Sequence, residues 1–262
     1  MEFFDSHSHY NDEKFDKDRE NIILETYKEG ITKWVCAGYD IPSSKLSIEI
    51  ANKYPYIYSI CGISPNDIPE DNTKIDIMIN EIENLIQKVA NNKIVAIGEI
   101  GLDYYWNKEN EQIQKEMFIK QIELANKNQL PIVIHTRDAI QDTIDILKQY
   151  NVDKKGIFHC CPLNRELVKE ALKLGFYISF AGPITFKNSK NSNEIVNMVP
   201  LDKILIETDS PYLAPEPKRG TRNDSRNVKY IAEKIANIKE IPIEKVAKAT
   251  YDNALKIFDI IS

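Results

Sequence analysis

KIVAIGEIGLDYYWNKENEQIQKEMFIKQIELANKNQLPIVIH, residues 93–135, decides the fold. It opens on a short β-branched run, KIVAIGE (93–99), passes through EQIQKEMFIKQIELANK (111–127), where apolar residues return at helical spacing, and closes on PIVIH (131–135). Short apolar runs bounded by turn signals read as buried strands, and a 3.6-residue period between two of them reads as the crossover helix of a parallel pair. The same alternation extends both ways. EFFDS (2–6), KWVCAG (33–38) and IYSICGI (57–63) precede the stretch, and GIFHC (156–160), FYISFAG (176–182) and KILIETD (203–209) follow it. IDIMINEIENLIQKVA (75–90) is expected to be helical, with Ile75, Ile79, Ile82, Leu85, Ile86 and Val89 at helical spacing. Eight strands, each followed by a helix and with no Pro/Gly-rich linker or break in composition, predict an α/β fold. The expected architecture is a (β/α)8 TIM barrel, a single domain over residues 1–262, with an extra C-terminal helix at 243–258. KNSKNSNE (187–194) reads as a solvated loop after the seventh strand.

Composition narrows the partners. The formal net charge of -6 argues against broad electrostatic attraction to nucleic acid, since nonspecific binders carry a basic face. It leaves room for a nucleic-acid enzyme, because bound divalent cations neutralise an acidic site locally. No segment approaches the ~18 apolar residues of a membrane span and no opening stretch resembles a targeting signal, so the expectation is a soluble, cytoplasmic protein. Cys36, Cys61, Cys160 and Cys161 show no CxxC spacing, which fits reduced thiols.

In a barrel of this kind the C-terminal strand ends converge on one rim. His7 and His9 of FFDSHSHYND (3–12) follow strand 1, Glu99 ends strand 4, His135 strand 5, His159 strand 6 and Asp209 strand 8. The chain has only 4 histidines and each falls at such a position, which scattered structural histidines would not do. Alternate residues of an extended chain point the same way, so both imidazoles of the HxH pair approach one ion. Four imidazoles and two carboxylates exceed what one catalytic ion needs while keeping an open position, so two ions are expected. His7, His9 and Asp209 would hold one, His135 and His159 the other, with Glu99 bridging. A shared water is then the nucleophile, and Asp209 is the candidate to take its proton. Asp5 and Glu207 are expected to support the ligands from behind, Asp5 by orienting an imidazole and Glu207 by partnering Asp209 or Arg137.

HSH (7–9), GEIGLDYY (98–105), IHTRDA (134–139), FHC (158–160), IETDSPYLAP (206–215) and RGTRN (219–223) together resemble the TatD family of metal-dependent deoxyribonucleases, in the expected order over nearly the whole chain. The resemblance implies a TIM barrel of the amidohydrolase superfamily and 3′ to 5′ exonuclease activity on DNA, associated with DNA repair. His7, His9, Glu99, His135, His159 and Asp209 fall on the family's metal-ligand positions, and Glu99 and Asp209 are expected to be catalytic. Two divalent ions, magnesium, manganese or zinc, are the expected cofactors. The expected partner is DNA, single-stranded or at 3′ ends, with a monomer favoured. The chain departs from the family at GISPND (62–67), where Ser64 and Asn66 stand in place of two histidines, at Cys160–Leu163, where C-F-S-G is usual, and at Ser225, where a proline is usual. Ser64, Asn66, Tyr104, Arg137, Arg222 and Asn223 are the candidate substrate contacts. The aromatic run Tyr104, Tyr105 and Trp106 suits stacking on bases of a single strand or covering the rim. Competing readings are hydrolysis of an amide, lactone, phosphotriester or aminoacyl ester, and a noncatalytic binding protein on the same barrel. Many such hydrolases bridge their metals with a carboxylated lysine, and Glu99 at that position favours the nuclease branch.

Overall fold

In the computed structural model, which describes residues 1–88, 93–106 and 108–261, eight strands form one sheet in chain order. They are β1 (Phe3–Ser8), β2 (Ile31–Ala37), β3 (Ile57–Cys61), β4 (Ile94–Asp103), β5 (Ile132–Arg137), β6 (Gly156–Phe158), β7 (Tyr177–Phe180) and β8 (Ile204–Ile206). Each is followed by its helix: α1 (Arg19–Lys28), α2 (Ile41–Lys53), α3 (Ile75–Lys88), α4 (Glu111–Asn128), α5 (Ile140–Gln149), α6 (Arg165–Lys173), α7 (Ser192–Met198) and α8 (Val228–Lys239). A further helix, α9 (Ile243–Ile257), ends the chain, so the architecture is the expected (β/α)8 barrel. All neighbouring strands pair in parallel, and β4 is buried along its whole length, as a sheet covered on both faces requires.

Side chains close the seam between β8 and β1. Ser6 Oγ donates to the Ile206 carbonyl at 3.1 Å, and the Asp5 carboxylate accepts from the Thr208 amide at 2.9 Å and its hydroxyl at 2.5 Å. Two backbone bonds continue the seam past the strand ends, Asp209 N to His7 O at 3.0 Å and His9 N to Ser210 O at 2.7 Å. The closure therefore sets Asp209 beside the HxH pair. Asp5 braces this seam rather than an imidazole, and burial pushes its carboxyl up to about 7.

Alternation along the strands separates two cores. Phe3, Trp34, Ile97 and Ile134 pack outward under the helices, whereas Phe4, Val35, Ile60, Val133, Ile157, Tyr177 and Leu205 meet inside the barrel. That inner cluster also takes in Ala254, Ile257, Phe258 and Ile260, so the end of α9 and the turn after it plug the N-terminal mouth. Phe258 is 3% exposed and stacks on Phe4 with ring centroids 6.1 Å apart. Phe258→Ala is expected to cost about 3–5 kcal/mol of stability, measured by urea unfolding, through the lost transfer energy and the void left in the plug.

Several boundaries differ from the sequence reading, among them the end of β1, which runs to Ser8 and so carries His7 within the strand. β4 runs on past Glu99 to Asp103, because Gly101, at φ 137°, lets the chain pass where a Cβ would lie 2.0 Å from the His135 carbonyl oxygen. β6 and β8 stop at Phe158 and Ile206, so His159 and Asp209 follow their strands. The stretch 187–194 is irregular only to Asn191, since Ser192 is buried and starts α7. Val89 and Ala90 of the expected third helix lie outside the described residues. Among the described residues no helix is long and apolar enough to cross a membrane, and all four cysteines are free.

Candidate metal centre

The six candidate ligands converge at the C-terminal mouth. His7 Nε2 and His9 Nε2 face each other at 3.2 Å, with Asp209 Oδ1 at 3.8 and 3.3 Å and Glu99 Oε2 at 3.4 and 3.7 Å from them respectively. The other oxygen of Glu99 turns to a second pair. Oε1 lies 3.0 Å from His135 Nδ1 and 3.2 Å from His159 Nε2, and those nitrogens are 3.3 Å apart. Donors bound at about 2.0–2.2 Å to one ion sit about 3.0–3.5 Å from one another, so most of these spacings suit metal ligation, and His7, His9 and Asp209, like His7, Glu99 and His159, form a group that could hold an ion.

The groups behind the imidazoles fix which nitrogen faces inward. His9 Nδ1 donates to the Ala37 carbonyl at 3.0 Å, His159 Nδ1 to Glu207 Oε1 at 3.3 Å and His135 Nε2 to Asp103 Oδ2 at 2.9 Å. Each inward nitrogen of these three is then a lone pair aimed at other lone pairs, an arrangement that needs a cation between them. The residues present therefore fit divalent metal. His7 Nδ1, fully buried, finds no hydrogen-bond partner among the described residues.

Electrostatics show the same demand for positive charge. Burial raises the cost of a charged Glu99, yet His159, His135 and His7 hold its carboxyl well below the usual range. Burial likewise opposes charge on His159, but Glu99 and Glu207 lift its pKa well above the ordinary 6.5. His9 and His135 are raised against burial by Asp209 and by Asp103 with Glu99, while burial and His159 lower His7. Burial, reinforced by Asp209, pushes the Cys160 thiol well above its ordinary value, so it stays protonated beside His159 and is no nucleophile.

Backbone conformation aims two of these groups. Asp209 has φ 55° and Cys160 φ 37°, a left-handed region that L residues occupy at a cost and that recurs at functional sites. Glu207 Oε1 holds the second position by accepting from the Cys160 amide at 2.6 Å as well as from His159. It thus serves His159 instead of Asp209 or Arg137. Glu207→Ala is expected to weaken metal binding about 10–100-fold, read by titration with a chelator of known affinity.

The candidate substrate contacts divide. Ser64, Asn66 and Arg137 line a cavity of about 730 Å3 that opens over the ligands. Ser64 Oγ donates to Asp67 Oδ2 at 2.6 Å, and Asn66 Nδ2 to Asp103 Oδ2 at 3.4 Å. Tyr104 turns away, donating its hydroxyl to Asp142 Oδ2 at 2.7 Å. Arg222 is spent elsewhere, in a bidentate pair with Asp18 at 2.8 and 2.6 Å and a bond to the Lys14 carbonyl. Asn223 is fully buried, and its amide donates to the Thr208 and Tyr212 carbonyls at 2.9 and 2.7 Å. It pins the loop on either side of Asp209 and has no face toward the cavity. Arg219 stacks on Phe186 with its guanidinium carbon 3.8 Å from the ring centroid. Asp103, which orients His135, escaped the sequence reading; the signal available was its place in GLD just beyond Glu99.

Comparison with known proteins agrees with this geometry. Residues 4–259 match the family model described as TatD related DNase. The chain is 42% identical over 258 residues to YabD of Bacillus subtilis, named an uncharacterized metal-dependent hydrolase, covering 98% of this chain and 99% of the relative. It is 34% identical over 264 residues to YcfH of Escherichia coli, which carries the same description, covering 99% and 97%. In fold it is similar to the crystal structure of YJJV, a TatD homolog from E. coli, with a TM-score of 0.92 at 22% identity over 99% of this chain and 98% of that one.

Proposed function

The chain belongs to the TatD family of metal-dependent hydrolases, and on that premise we propose that it is a two-ion 3′ to 5′ exodeoxyribonuclease acting on single-stranded DNA or 3′ ends. The observation that carries this reading is the division of Glu99, with Oε2 turned to the His7–His9–Asp209 cage and Oε1 to His135 and His159. Divalent cations held there supply Lewis acidity toward a phosphoryl oxygen and lower the pKa of water. Glu99 ties the two cages into one unit. Asp209 keeps one oxygen toward His9, its side chain 16% exposed to the cavity, and accepts the proton of the attacking water. Burial opposes its charge, but His9 holds its pKa below the usual value, so it is ready as an acceptor at neutral pH. Arg137 at the mouth presents a guanidinium to phosphate. The whole chain, residues 1–262, acts as one barrel domain, and the four free cysteines favour a cytoplasmic setting.

The test strips the purified protein of metal, returns magnesium, manganese or zinc separately, and follows an end-labelled single strand. Metal-dependent, stepwise shortening from the 3′ end is expected. Tightly bound metal with DNA intact under every condition overturns the phosphodiesterase reading and turns attention to lactones, small esters and aminoacyl-tRNA.

A further inference from the structure

Beside the metal centre the protein leaves two large aromatic side chains in water. Tyr105 is 54% and Trp106 68% exposed, with perpendicular rings 4.8 Å apart, and Trp106 lines the same cavity as the ligands. Neither ring is loosely placed at its backbone. Asp103 Oδ1 accepts from the Tyr105 amide at 3.0 Å and the Trp106 amide at 3.1 Å, fixing the turn that presents them. The second oxygen of the same carboxylate accepts from His135 Nε2 at 2.9 Å. One side chain therefore sets both a metal ligand and the aromatic pair, so the distance from ring to reacting centre is built in.

Arg137 completes the arrangement. Its guanidinium carbon lies 3.7 Å from the Tyr105 ring centroid and 5.5 Å from that of Trp106, and among the described residues it makes no ion pair. A guanidinium stacked on an aromatic face keeps its N–H groups for phosphate, while the face of Trp106 is left for an apolar or aromatic partner. The opposite side of the mouth differs in charge. There Asp12, Glu13 and Asp40 border a groove that adjoins the metal cavity at Tyr39 and Tyr212, a path that repels a phosphate backbone.

Resting on the nuclease reading of the site, we infer that Trp106 stacks on a base within one nucleotide of the scissile phosphate, while Arg137, held on Tyr105, takes the adjoining phosphate. The strand leaves the metal centre over β4 and β5. Because stacking needs an unpaired base, the platform selects single strands and unpaired ends over intact duplex. Trp106 and Arg137 bind substrate, and Asp103 positions both the platform and His135.

Steady-state cleavage of a single-stranded oligonucleotide gives the first readout. Trp106→Ala is expected to raise KM about 5- to 150-fold, with Trp106→Phe restoring most of the loss. On a strand with abasic sites at its last two 3′ positions, the ratio of variant to wild-type KM is expected to fall toward one. The second readout does not depend on cleavage. Of the 2 tryptophans, Trp34 is fully buried, so quenching of the red-shifted emission reports on Trp106. The probe is a deoxyoligonucleotide with phosphorothioate linkages at its 3′ end, added to the metal-loaded protein. Quenching by this strand, and none by its abasic counterpart, is expected. The inference is overturned if emission is indifferent to the base, or if Trp106→Ala loses the same factor on both strands. Quenching without cleavage by the wild-type protein would instead count against the nuclease reading and leave the stacking site standing.

Discussion

On the nuclease reading, Glu99→Gln is expected to lower hydrolysis of an end-labelled single strand by about a thousandfold. The substitution keeps the shape of the side chain and changes what it offers. Glu99 turns its two oxygens to different histidine pairs, at 3.0 Å from His135 and 3.4 Å from His7. An amide replaces one of those acceptors with an N–H donor, which points a positive edge at the space a cation must fill, and it removes the negative charge that the surrounding histidines hold in place. A loss confined to about tenfold would mean that Glu99 is peripheral to the reaction.

Metal is expected to raise the melting temperature of the stripped protein by about 8–16 °C, the shift of a site filled to ~1,000 times its dissociation constant in a chain this long. Mutually facing imidazole lone pairs beside a buried carboxylate are costly without a cation, so binding and folding are linked. The increment depends on pH with a definite sign. In the stripped protein the neighbouring carboxylates raise the pKa values of His9, His135 and His159 above the ordinary 6.5, so protons compete with metal for the ligand nitrogens more strongly than they would at free imidazoles. Metal must displace them. The metal-dependent rise in melting temperature is therefore expected to grow as the pH is raised above 6.5 and to shrink as the pH is lowered through the raised values. Scanning calorimetry with and without a chelator across this range measures it, and an increment independent of pH would contradict the competition between protons and metal.

The barrel and the convergence of the six candidate ligands were legible because both rest on periodicity. Strand ends in a parallel barrel share one rim, so residues as distant as His7 and Asp209 are predictably close without any knowledge of side-chain direction. Direction is what the sequence lacked. Arg222 lies in the loop after the Asp209 strand but points to Asp18, a partner set by how the first and last loops pack. Tyr104 and Trp106 are two residues apart, and only the second lines the cavity. Asp103 was hidden for another reason. Its role depends on β4 continuing past Glu99 in register with β5, where Gly101 pairs with His135 and Asp103 with Arg137, and apolar content gives no sign of that continuation. Helical period located α9, while its use as a plug follows from Phe4, Phe258 and their neighbours meeting inside the barrel.

The number of metal ions per chain tests the account at its centre. Metal analysis of the fully loaded wild-type protein and of Glu99→Gln, each by elemental analysis after removal of free ion, is expected to give two ions per chain for the first and fewer for the second. One ion in the wild-type protein, or two retained without the Glu99 carboxylate, would contradict a centre built from two cages that share this side chain.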